Sequence, residues 1–116
     1  MTPMADMPDD APRIQDALCQ IDGLTVTTAW PREPSQGPVA LVTLAGDSPA
    51  DYRDGRRYLT ELEYYVRVFA AKAAVMRAMC AAVNQVMEGL GYERTFRWEE
   101  PGEGWRQTAM RYKIYL

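Results

Sequence analysis

The chain has 116 residues, 47% of them hydrophobic and 25% charged, with a formal net charge of −3. This length suits one domain, and the balance is that of a globular chain able to bury roughly two thirds of its unfolded surface. A net negative charge argues against a dedicated nucleic-acid binder, no segment reaches the ~18 consecutive apolar residues of a membrane span, and nothing at the N-terminus reads as a signal peptide.

Residues 1–8 read as a flexible arm ahead of a single domain that takes up the rest of the chain. A helix starts at Asp9 and Asp10, which are good caps, with Pro12 tolerated in the first turn. Ile14, Ala17, Leu18 and Ile21 share one face, and Gly23 supplies the stop. From Leu24 to Trp30 the period becomes two, as in a strand, before Pro31, Pro34, Gly37 and Pro38 punctuate a loop.

Val39 to Leu44 is an apolar second strand. The Gly, Asp, Ser and Pro of Ala45 to Gly55 are turn-forming residues, so residues 45–57 are expected to form a projecting loop. The third strand carries the strongest alternation: Tyr58, Thr60, Leu62, Tyr64, Val66 and Val68 form the core face. Leu59, Glu61, Glu63, Tyr65, Arg67 and Phe69 lie opposite. It is longer than a small core requires, so one end should project.

A helix follows from about Ala71 to Leu90, with Val75, Met76, Met79, Val83, Val86, Met87 and Leu90 as its buried stripe and Gly91 as its cap. The chain closes in a hairpin, Tyr92 to Glu99 and Trp105 to Leu116, turning at Glu100-Pro101-Gly102-Glu103. The fold expected is α+β in the order αβββαββ: an antiparallel-rich sheet of about five strands with both helices on one face.

Chemistry is sparse. The sequence contains no histidine, so the commonest general base and metal ligand is missing. Cys19 and Cys80 have no CxxC spacing and read as buried, reduced small hydrophobes, as in a cytosolic protein. Glu61 and Glu63 share a strand face about 7 Å apart. A glycosidase or an oxygen-ligand metal site could use such a pair, but a solvated or interfacial strand face explains it more simply. No phosphate-binding glycine loop is present. Arg53, Arg56 and Arg57 form the one local basic cluster, beside Asp47, Asp51 and Asp54. No catalytic, cofactor or metal residue is therefore assigned. Tyr65, Phe69, Trp105 and Tyr115 fall on the less apolar strand faces and, with the three arginines, are the candidate subunit interface.

The order of these segments carries a resemblance. A short helix, a strand ending near Pro31 and an apolar strand before Gly46-Asp47-Ser48-Pro49 lead into the long strand YLTELEYYVRVFA (Tyr58 to Ala70). The helix ending VMEGLGYER and the closing AMRYKIYL follow. From about Ile14 to Leu116 this pattern resembles the tail terminator, or tail completion, proteins of long-tailed bacteriophages and prophages, which are related to minor tail proteins. The resemblance implies a non-enzymatic subunit, made in the host cytoplasm, that assembles in the virion tail as a homohexameric ring. Such a ring caps the tail tube, stops its polymerisation and offers a surface for head docking. The implied partners are further copies of the chain, the tail tube protein and the head–tail connector protein, with no cofactor, small-molecule substrate or membrane. A head–tail connector subunit is the alternative within the same virion. A small ligand-binding α+β domain, with a pocket between sheet and helix, is the alternative from another class.

Overall fold

The computed structural model describes residues 9–31, 37–53, 56–101 and 104–115, and the side chains among these outside 47–60. The elements are α1 (Ala11–Leu18), β1 (Thr25–Thr27), β2 (Val39–Arg53), β3 (Arg56–Ala70), α2 (Ala73–Gly89), β4 (Glu93–Pro101) and β5 (Arg106–Tyr115). The order αβββαββ is as the periodicity indicates. The strands form one sheet, β1-β2-β3-β5-β4, in which only β1 and β2 run parallel.

Both helices lie on one face. Leu62, Tyr64, Val66 and Val68 of β3 point to that side beside Tyr112 and Met110 of β5, and pack with Ile14 and Leu18 of α1. From α2 the buried residues are Met76, Cys80, Val83 and Met87. Val75, Met79, Val86 and Leu90 are only partly buried against the cluster, so the stripe is narrower than expected and centred one residue away. Cys80 is buried as expected. Cys19 is exposed, because it forms the C-cap of α1 rather than part of its buried face.

The helix ends are specified locally. Gly91, at φ +97°, follows the C-cap of α2; its N–H donates to the Glu88 carbonyl and that of Tyr92 to the Met87 carbonyl. This is a Schellman closure, which needs a left-handed residue. Asp10 occupies the N-cap of α1, but its carboxylate does not cap the helix. It binds Arg13 and the Tyr92 hydroxyl instead, while the Asp9 carboxylate accepts from Ala11 N–H.

One segment departs from the expectation. Residues 45–53 are not loop but strand: β2 pairs with β3 all the way to Arg53↔Arg56. Its turn-forming residues sit at register shifts between Leu44 and Gly46 and between Pro49, Asp51 and Tyr52. Bulges absorb residues that a regular ladder would refuse, and proline is tolerated where no further strand pairs outside it. β1 meets β2 only at Val39–Leu41, and β5 meets β3 only from Glu61 onward. Residues 46–53 and 56–60 therefore form a two-stranded arm extending past the rest of the sheet, and the molecule measures 53 × 25 × 24 Å. The residues of the β4–β5 turn at Gly102 and Glu103 lie outside the described residues.

Candidate functional site

The sheet face away from the helices carries an aromatic layer, begun by the alternation of β3. On β3, Tyr65, Arg67 and Phe69 point outward because Tyr64, Val66 and Val68 point inward. Arg67 is the centre of the layer. Its guanidinium carbon lies 4.9 Å from the Trp30 ring centre and 4.5 Å from that of Tyr65, and Nη1 donates to Thr43 Oγ1 at 2.9 Å. A planar cation between two ring faces gains electrostatic attraction without needing a carboxylate.

The rings continue on both sides of this sandwich. Trp30 meets Phe69 edge-on at 6.0 Å, and Phe69 lies 5.0 Å from Trp105. Tyr65 meets Trp98 at 5.6 Å, and Trp98 meets Phe96 at 5.3 Å. Arg111 pairs with Glu63 and lies 5.7 Å from the Tyr65 ring. Val39, Leu41 and Ala109 are buried on the same side, although no helix among the described residues covers it.

Of the candidate interface residues, Tyr65, Phe69 and Trp105 are brought together in this layer. Phe69 is only 4% exposed, so its contacts are met within its own chain. Tyr115 stands apart, opposite Glu61 near the end of β5, and is 49% exposed. Arg53, Arg56 and Arg57 lie at the tip of the arm, where only the backbone is described: Arg53 pairs with Arg56, and Tyr52 with Arg57. They are not near the aromatic layer. Sequence reasoning missed Trp30 and Phe96, which are 57% and 56% exposed and are the freest aromatics on this face among the described residues. The signal for Phe96 was its place among the charged residues of Glu93 to Pro101, ERTFRWEEP, in what proves an exposed edge strand.

The Glu61 and Glu63 pair does not converge on a site, since Glu63 is taken by Arg111. Among the described residues, no group of three His, Cys, Asp or Glu could hold a metal, and no helix is long and apolar enough to cross a membrane. Burial pushes the Cys80 thiol up, which makes it less reactive, not more.

The helix side of the sheet carries a second feature, not expected from the sequence. Between α2 and the edge strand β4 runs a groove in two adjoining parts, of 440 and 310 Å³. Arg77 and Arg97 line both parts, Arg94 one and Arg106 the other.

No protein-family profile and no curated protein matches this chain. Among solved structures it is similar to a chain from the virion of a native gene transfer agent particle, with a TM-score of 0.54 and 19% identity. The match covers 95% of this chain and 87% of that one. What the two share is therefore the fold, helices and sheet together, over nearly the whole of both chains.

Proposed function

We propose that this chain is a structural subunit of a virion, and within it the tail terminator: a ring that caps the tail tube, ends its growth and receives the head. The observation that carries this reading is the fold shared along 95% of the chain with a virion component. The surface fits an assembly role. Exposed aromatics on an open sheet face suit burial against another subunit, and a projecting arm gives each copy two unlike patches, as a heterologous ring requires. Within that ring, Trp30, Phe96 and Tyr115 supply apolar area, while Arg53, Arg56 and Arg57 at the arm tip orient the contact. Single rim ion pairs contribute only about 0–1 kcal/mol.

The test is deletion of the gene in a producing strain, followed by electron microscopy. Headless tubes of uncontrolled length are expected, rescued by the wild-type chain. The double reversal Arg56→Glu with Arg57→Glu should rescue poorly and fail to form hexamers by sedimentation at high concentration. Normal-length tubes lacking only heads would move the assignment to the connector. Normal infectious particles would reject a virion role.

A further inference from the structure

We propose that the groove between α2 and β4 is a docking site for an extended acidic segment of a partner protein. The inference does not depend on where in a virion the chain sits. It rests on how the arginines reach the groove. In a regular strand, residues three apart point to opposite faces. Arg94 and Arg97 nevertheless both face α2, opposite Tyr112 and Met110, because the register shifts between Arg94 and Phe96. Thr95 is the extra residue, and its hydroxyl donates to the Arg111 carbonyl at 3.3 Å. Bulges of this kind re-aim a side chain. Here the bulge gathers two guanidinium groups beside Arg77 of α2.

The groove wall also includes Asn84 and Cys80. Arg97 pairs with Glu99 at 2.7 Å, whereas Arg77 and Arg94 have no ion pair among the described residues. At the other end of the groove lies Thr108, 1% exposed, whose Oγ1 finds no hydrogen bond of ordinary geometry; the Cys80 thiol is its weak neighbour. The part of the groove lined by Arg77, Arg94 and Arg97 holds no carboxylate among the described residues of its wall, and such a positive lining in a chain of net charge −3 calls for an anion.

The neighbouring edge says what form that anion takes. Among the described residues β4 is paired on one side only, by β5, which meets eight of its nine residues. An added strand could satisfy the open backbone groups and send alternate side chains into the groove. Carboxylates on those side chains match the arginine forks. Duplex DNA fits less well. Glu99 and Glu100 line the same groove, and a continuous polyanion would have to lie against them.

The probe is a fluorescein-labelled octapeptide of alternating glutamate and threonine, compared by anisotropy with the glutamine–threonine octapeptide and a 20-base-pair DNA duplex. The acidic peptide should bind at least tenfold more tightly than the neutral one, weaken with salt, and slow amide exchange along β4. Arg94→Glu with Arg97→Glu should weaken it at least tenfold, and Arg77→Glu severalfold, with the far-ultraviolet spectrum unchanged. Equal binding of the two peptides, or none, overturns the proposal. So does undiminished binding by the folded variants, or tighter binding of the duplex that depends on the same arginines.

Discussion

The Tyr92 hydroxyl donates a hydrogen bond to the Asp10 carboxylate at 2.5 Å, joining positions 82 apart in sequence. Asp10 also takes two bonds from Arg13, whose Nη2 reaches on to the Leu90 carbonyl, and its N–H donates to the Tyr64 hydroxyl. The start of α1, the end of α2 and the centre of β3 are thus tied around Asp10, through its carboxylate and its backbone N–H. Removing one partner leaves the rest half-satisfied. Tyr92→Phe is expected to cost about 1–2 kcal/mol and Asp10→Ala about 2–3 kcal/mol. Urea unfolding of both and of the double variant gives their coupling, and strictly additive losses would show that the two groups act separately.

The same groups set the pH limits. Burial alone would raise the Asp10 carboxyl, but hydrogen bonds from Arg13 and Tyr92 outweigh it and hold it below its ordinary value. A depressed carboxylate stabilises the fold above about pH 4, and that contribution disappears as pH falls. Tyr92 and Tyr112 move the other way, chiefly through burial, which pushes both hydroxyls up. Their contribution is complete below about pH 10 and is lost as pH rises past it. Stability measured against pH should therefore decline at both ends. In Tyr112→Phe the alkaline decline should be shallower while the acid limb is unchanged.

Helix α2 offers a test of its own facing. Met87 is fully buried and Met79 only partly so, although the sequence pattern treats them alike. Met87→Ala should cost about 2–5 kcal/mol and Met79→Ala clearly less. Thermal unfolding decides it: the reverse ranking would mean that the helix is rotated.

Arg67 should matter for its shape as much as for its charge. Arg67→Lys keeps the cation but loses the planar stack between Trp30 and Tyr65 and the bond to Thr43. A loss of about 1 kcal/mol is expected, with a red shift in tryptophan emission as Trp30 is released. A lysine variant matching wild type in both would reduce the sandwich to a bystander.

Gly91 combines a left-handed backbone with a close neighbour: a Cβ there would sit 3.3 Å from Ile114 Cδ1. Gly91→Ala should therefore destabilise by about 1–2 kcal/mol, whereas Gly89→Ala, where an added Cβ meets nothing within 4 Å, should be neutral or mildly stabilising. Chemical denaturation of the pair separates strain from composition.

Strand alternation and the 3.6-residue period made the element order, the inner face of β3 and the helix side of the sheet legible in the sequence. The arm was not, because Gly46, Ser48, Pro49 and Asp51 have turn propensity, and their pairing with residues 59–63 is a long-range fact. The aromatic layer was half legible. Alternation put Tyr65 and Phe69 outward, but Trp30 and Trp98 reach them from other elements. The arginine groove was hidden for a related reason: one extra residue at Thr95 reverses the facing that counting along β4 assigns to Arg94.

The arm has one more consequence, for solubility. Two strands with bare outer edges are a ready template for runaway stacking of like chains, the route to fibres. This arm is poorly suited to it. Three register shifts break its repeat, and Pro49 offers no amide hydrogen to an incoming strand. The irregularities that disguise residues 45–53 as a loop thus guard an exposed strand pair against fibril growth, and regularising the segment, with Pro49→Val for instance, should raise its aggregation on storage.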